Sequence, residues 1–259
     1  MSKDTKVIAD SLFTAFKAHE PIDFVSNTYN ITEADAYHTQ SLLIEQLQTV
    51  DNSNIAGYRV NMTNDATQIL ANTNEPAYGT ILSSKIVQSN ESISLSSLFN
   101  PLIEPEIMFI VTDDIPMDAD DATILSCVDI APGLGIADAR YKNWFPNFTL
   151  SDFISDNSAT GLVVVGEIVP ASTISALANV EMTLTHNSVE VAEGSAEIVL
   201  GNPFKSLTWL VSKLQQHNKQ LTKGQLVASG TFIRALPITH GTYHATFTDI
   251  GEISVTFVD

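Results

Sequence analysis

Apolar residues in the first fifty positions recur at helical spacing. Val7, Ile8, Leu12, Phe13 and Phe16 fall on one side of a helix drawn through "DTKVIADSLFTAFKAHE", and Pro21 follows its end. A second helix is expected in "TEADAYHTQSLLIEQLQTVD", with Thr32 as N-cap and acidic residues in the first turn. From residue 55 the pattern shortens to apolar runs punctuated by Gly, Pro, Asn and Asp. "IAGYRVNM", "GTILSSKI", "LIEPEIMFIV", "GLVVVGEI", "VEMTLTHN", "GQLVASG" and "EISVTF" have strand length and β-branched content. Two helical interruptions are expected, "ADDATILSCVDI" around residues 119 to 130 and "PFKSLTWLVSKLQQHN", where Pro203 suits the first turn. Strands and helices do not alternate in a βαβ rhythm. The expected class is therefore α+β, with a helical region over residues 1–54 and a β-rich core over 55–259 that together count as one domain.

Two polar positions break the apolar run "NPLIEPEIMFIV". Glu104 and Glu106 are two apart, so on a strand they share a face. Like charges on a buried face repel, which requires a positive group between them or a proton on one of them. A hard divalent cation such as Mg²⁺ or Mn²⁺ fits that requirement, given at least one further oxygen ligand. A solvent-facing side chain or a partner Lys or Arg fits it equally well.

Composition narrows the partners. The chain has 259 residues, 44% of them hydrophobic, enough for a sizeable core. Twelve basic against thirty acidic residues give a formal charge of −18, which disfavours nucleic acid and anionic membranes. Neither a leader peptide nor an apolar run long enough to span a bilayer is apparent, and a soluble, cytoplasmic protein is expected. The single cysteine, Cys127, lies in "ILSCVDIA" and reads as a buried, inert thiol.

Other clusters are weaker. "TDDIPMDADDA" lacks the glycine and closing glutamate of an EF-hand loop and reads as a solvated turn with N-capping aspartates. His240 and His244 are four apart, but Gly241 and the strand pattern argue against a helical zinc pair. The segment "GIADARYKNWFPNFTLSDFISDNSATG" combines Arg140, Lys142, Asp152, Asp156 and Asn157 with Trp144, Phe145 and Phe148. Long polar stretches of this kind often carry sites, although the aromatics could equally cover a core edge.

Taken in order, "PLIEPEIMFIV", "APGLGIADARYKNW", "FISDNSATGLVVVG", "VAEGSAEIVLGNPFKSLTWL" and "LTKGQLVASGT" resemble the 2-keto-4-pentenoate hydratase and 4-oxalocrotonate decarboxylase family of the fumarylacetoacetate hydrolase superfamily, over roughly residues 5 to 258. The resemblance implies a helical N-terminal region, a core of curved mixed sheets and a homo-oligomer, often a decamer, in a family whose hydratase and decarboxylase subunits associate. It implies Mg²⁺ or Mn²⁺ on Glu104, Glu106 and a third acidic residue about thirty positions on. The implied substrate is a small anionic 2-oxo or 2-hydroxydienoic acid of aromatic catabolism. Water addition would give a 4-hydroxy-2-oxo acid; in the decarboxylases the same chelate drives loss of CO₂.

The match departs at four positions of the family pattern. The third acidic ligand falls at Gly135, and Asp138, at an odd offset, faces the other way on a strand. Arg59 stands for the catalytic lysine and is a poor proton shuttle; Ala77 replaces an aspartate and Asn202 a histidine. Arg140, Trp144, Asp156, Asn157, Gly194, Gly201 and Pro203 are retained. The implied roles are Arg59 and Asp156 in catalysis, Arg140, Asn157 and Asn202 in substrate binding, and Glu104 and Glu106 on the metal. Alternatively, the chain is a weakly active or inactive binding or assembly partner, a decarboxylase, or an acylpyruvate-cleaving enzyme. The glutamates are then either a cage completed by water, Asp138 or substrate, or a relic balanced by Arg59 or Arg140.

Overall fold

A computed structural model describes residues 4–173 and 176–259. In chain order its elements are α1 (Asp4–Ala18), α2 (Glu33–Asp51), β1 (Ile55–Asn61), α3 (Asp65–Ala71), β2 (Ala77–Leu82), β3 (Ile86–Gln88), β4 (Ser92–Ser94) and β5 (Leu102–Val111). There follow α4 (Asp121–Ser126), β6 (Val128–Ala137), a kinked turn α5 (Trp144–Asn147), α6 (Leu150–Ser155), β7 (Thr160–Val165), β8 (Glu181–His186) and β9 (Val189–Ser195). The chain ends with α7 (Phe204–Gln216), β10 (Leu226–Ala228), β11 (Leu236–Pro237), β12 (Gly241–Phe247) and β13 (Gly251–Val258).

The strands form two mixed sheets. The larger runs β2-β1-β10-β5-β6-β7-β3, with β11 added along β5; the smaller runs β4-β13-β12-β8-β9. Most pairs are antiparallel, while β1–β10, β3–β7 and β4–β13 are parallel, so the expected α+β class with a mixed-sheet core holds. At the centre lies the long antiparallel ladder of β5 and β6, in register from Leu102↔Ala137 to Val111↔Val128. This register sets Glu104 opposite Gly135 and Glu106 opposite Gly133.

Helix α2 begins as expected. Thr32 accepts the Asp35 N–H at 3.2 Å and Asp35 returns a bond to the Thr32 N–H, a capping box that satisfies two otherwise orphaned donors. Its inner face places Ala36, Tyr37, Leu43, Ile44 and Leu47 in the same apolar core as the sheets. Each large aliphatic side chain buried there contributes about 1.5–3 kcal/mol. Gln40 pins the helix laterally, donating to the Tyr78 and Ile154 carbonyls at 3.0 and 3.1 Å.

One helix is shorter than expected. The stretch 119–130 is helical only from Asp121 to Ser126, after which Val128 begins β6. Cys127 caps the helix and is buried without a disulfide. β6 continues through Pro132, whose missing N–H costs nothing to β7 because that ladder starts one residue later, at Gly133↔Val165. Strand β9 was likewise not anticipated, while the strand pattern around Gly241 is β12. No helix among the described residues is long and apolar enough to cross a membrane.

Candidate active site

Three side chains from two strands meet inside the larger sheet. Arg59 sits on β1, where its register neighbours are Gly79 on β2 and Ala228 on β10; neither has the bulk to obstruct a long side chain on that face. Strand β10, which separates β1 from β5, is only three residues long. The Arg59 guanidinium therefore reaches β5, where Nε donates to Glu106 Oε1 at 2.9 Å and Nη2 donates to Glu104 Oε2. Arg59 and Glu106 are fully buried, while the Glu104 side chain keeps 14% exposure.

The local backbone completes Glu106. Its second oxygen accepts the Gly230 N–H at 2.9 Å. Gly230 has φ +102°, and a β-carbon there would lie 2.4 Å from Thr63 Oγ1, so the close approach requires glycine. Burial pushes the Glu106 carboxyl up to about 7; Arg59 opposes that rise and Glu104 adds to it. Burial also opposes the charge on Arg59, but Glu106 and Glu104 outweigh it and hold the guanidinium protonated. Of the two solutions to the two-carboxylate problem, the geometry shows the cation between them, while burial pushes Glu106 towards its neutral form.

Gly135 closes the arrangement from β6. A β-carbon on it would lie 2.0 Å from Glu106 Oε1, 2.4 Å from Arg59 Nη2 and 2.6 Å from Arg59 Cζ. The space that a side chain at 135 would need is filled by the guanidinium. One nitrogen of that group, Nη1, is buried with no hydrogen-bond partner among the described residues.

Glu104 forms the acidic edge of a narrow cleft of about 50 Å³ that adjoins a larger hollow of about 380 Å³, the latter within the range of small-molecule sites. Its wall is aromatic: Trp144 lies 5.5 Å from Phe145 and 6.1 Å from Phe148, which is 4.9 Å from Phe153. The Trp144 indole N–H is fixed by the Asn100 carbonyl at 3.0 Å. An adjoining hollow shares Asn64, Thr67, Glu104, Phe145 and Thr231, and adds Arg234, an exposed cation without an ion-pair partner among the described residues. Asn61, Asn64, Thr67, Thr231 and Arg234 were not anticipated as site residues. For Asn61, Asn64 and Thr67 the signal was the polar stretch "NMTNDAT" at the end of Arg59's strand, in which Asn64 caps α3 by accepting the Thr67 N–H at 3.0 Å; Thr231 and Arg234 carried no such local signal.

The remaining expected site residues lie elsewhere. Asp156 is fully buried and bound to Arg140 twice over: Oδ2 accepts the Arg140 N–H at 2.6 Å and Oδ1 accepts from Nε. Its carboxyl is pushed up to about 6 by burial, against the pull of Arg140. Asn157 brackets the β2 backbone, accepting the Thr80 N–H at 2.7 Å and donating to the Thr80 carbonyl at 2.9 Å. Arg140, Asn157 and Asp138 line a different cavity from Glu104, and Asp138 is spent on the Phe99 and Asn100 N–H groups. The odd offset does turn Asp138 away from the glutamates. Asn202 accepts the Phe204 N–H at 2.9 Å at the start of α7. Asp120 N-caps α4 as expected of the acidic turn, and His240 and His244 pair with Asp259 and Glu252.

Comparison with known proteins places this geometry. No family model matches the chain. It is 29% identical over 263 residues to a 2-oxo-hept-4-ene-1,7-dioate hydratase of Escherichia coli, covering 97% of both chains. It is 28% identical over 227 residues to a 2-keto-4-pentenoate hydratase of Paraburkholderia xenovorans, covering 86% of this chain and 82% of that one. Among solved structures, 4-oxalocrotonate decarboxylase from Pseudomonas putida G7, complexed with magnesium and adipate, superposes with a TM-score of 0.92 at 21% identity, over 100% of this chain and 99% of the other. With its helical N-terminal region, mixed-sheet core and paired glutamates on β5, the chain is similar over most of its length to 2-keto-4-pentenoate-type hydratases and shares the fold of 4-oxalocrotonate decarboxylase.

Proposed function

We propose that the protein is a hydro-lyase that adds water to a small 2-hydroxy-2,4-dienoate, giving a 4-hydroxy-2-oxo acid in the cleft edged by Glu104. One observation carries this reading: similarity to a hydratase runs across 97% of both chains, so the cleft and both glutamates lie within the shared span. In the overall reaction the enol O–H proton is lost, C5 gains a proton, the water oxygen bonds to C4 and C3 takes up the remaining proton. Glu104, held by Arg59 yet open to the cleft, is the group placed to accept and return protons. The aromatic wall excludes bulk water from the diene, and Arg234 at the rim attracts the carboxylate.

A divalent metal is implied by the family, and the magnesium in the decarboxylase structure supports it there. The residues here do not fit one: a guanidinium occupies the interval between the glutamates, and position 135 carries no ligand. No step of the proposed chemistry is routed through a metal. The test is incubation with 2-hydroxypenta-2,4-dienoate and its C6 and C7 homologues. Decay of dienol absorbance with a product heavier by one water is expected; a product lighter by CO₂ would indicate decarboxylation. No turnover above that of Glu104→Gln on any of these acids would refute the lyase reading.

A second reading, a binding or assembly subunit without turnover, draws on the same locked guanidinium, since a fully buried arginine between two carboxylates exchanges protons poorly. In either case a homo-oligomer is proposed. Val189 and Val191 on the edge strand β9, and Ile69 on α3, are exposed apolar surface that further copies would cover.

A further inference from the structure

In the related fold that binds magnesium, the cation is a separate ion. In this chain a cation is already present and covalently tethered. The Arg59 guanidinium stands between the two β5 carboxylates, its Nε 2.9 Å from Glu106 Oε1 and its Nη2 bonded to Glu104 Oε2. Each group is held from its other side as well: Glu106 Oε2 by the Gly230 N–H, and Arg59 by complete burial between β2 and β10.

Position 135 gives independent support. It faces Glu104 across the β5–β6 ladder, and even a methyl group there would overlap both partners of the ion pair. An acidic side chain at 135 and an arginine at 59 cannot occupy this space together. Donor chemistry agrees, because among the described residues no three His, Cys, Asp or Glu side chains gather in a metal-holding group. Two carboxylates alone, with three of their four oxygens already bonded to N–H donors, are a poor cage for Mg²⁺ or Mn²⁺.

We propose that Arg59 is the resident cation of this site: with Gly135 it replaces a divalent ion and its third acidic ligand, so the chain takes up no Mg²⁺ or Mn²⁺ there and works independently of metal. The guanidinium supplies the positive charge that a metal would have supplied between the two carboxylates, through charge-assisted N–H donation from a fixed fork.

The test measures the metal alone, so it is separate from the identity of the acid turned over. Chelator-treated full-length protein is titrated with Mn²⁺, following the free-ion electron paramagnetic resonance signal. Wild type is expected to show no saturable site up to about 1 mM, the range of weak oxygen-ligand sites, and no difference from Glu104→Gln, which controls for loose uptake by an acidic surface. The double variant Arg59→Lys/Gly135→Glu is expected to gain one site per chain at least about 100-fold tighter, equivalent to two tenfold steps in affinity, while neither single variant does. One Mn²⁺ per wild-type chain, weakened by Glu104→Gln, would overturn the proposal. A folded double variant that still binds none would overturn the exchange; should the double variant fail to fold, the wild-type titration against Glu104→Gln decides.

Discussion

Replacing Gly135 by alanine adds one methyl group to the centre of the molecule. That carbon would lie 2.0 Å from Glu106 Oε1, 2.4 Å from Arg59 Nη2 and 2.6 Å from Arg59 Cζ, against about 3.5 Å for comfortable contact. Its neighbours must retreat by roughly 1 Å or more, yet Glu106 is tied to Gly230 and Arg59 is fully enclosed. Overpacking of this kind costs about 1–3 kcal/mol; breaking a buried ion pair costs about 3–5 kcal/mol. Loss of glycine's freedom in the unfolded chain returns only about 0.4–1 kcal/mol. A net loss of about 3–5 kcal/mol is expected, on the order of 10 °C in Tm for a chain of this size. Urea unfolding measures it. In an Arg59→Ala background the same methyl occupies vacated space, so the double-mutant cycle should show at least about 2 kcal/mol of non-additivity. Gly135→Ala within about 0.5 kcal/mol of wild type, or an additive cycle, would refute the packing argument.

Other perturbations follow from the same geometry. Glu106 carries a carboxyl raised from 4.5 to about 7, so the folded state keeps a proton that the unfolded state has lost. The stability this contributes is complete below pH 4.5 and disappears as pH rises through 7, and Asp156, raised from 3.8 to about 6, acts in the same direction. Urea midpoints of wild type should therefore fall more steeply from pH 5 to 8 than those of Glu106→Gln; parallel slopes would contradict this. Arg140→Met leaves Asp156 buried and uncompensated at a cost of about 3–5 kcal/mol, read from chemical denaturation. Arg234→Gln is expected to raise KM for the acid substrate about tenfold, one charge-assisted contact, with kcat unchanged; an unaltered KM would remove Arg234 from the rim.

Local signals in the sequence were read well where the competing forces were local. "LIEPEIMFIV" coincides with β5 from end to end, and the Thr32 cap needed only its own helix to form. β6 was hidden because Pro132, Gly133 and Gly135 carry turn chemistry; tertiary pairing on both edges overrides that preference, and the helical reading of 119–130 ran into its first residues. Electrostatics alone required a cation or a proton at Glu104 and Glu106. The resemblance offered Arg59 or Arg140 as that cation; choosing Arg59 required a contact across 47 positions in sequence and an intervening strand, which no local pattern encodes. Asp156 and Arg140 stood out from a polar segment and from the resemblance, yet the fold pairs them with each other away from Glu104, with Arg140 lining a second cavity, beside the left-handed backbone at Asn157, Ser158 and Ala159.

The glycine facing Glu104 also constrains how such a centre can change over generations. Lysine and arginine codons, and glycine and glutamate codons, can each differ by a single base, so two small genetic steps separate a tethered cation from an ion-binding cage. The order of those steps meets an obstacle. Glutamate at 135 beside Arg59 has no room, and a lysine at 59 opposite Gly135 surrenders the two-pronged bridge that holds both carboxylates. The crowding at one β-carbon position thus acts as a ratchet: each residue makes the other hard to revert alone, and only their joint replacement reaches the alternative state.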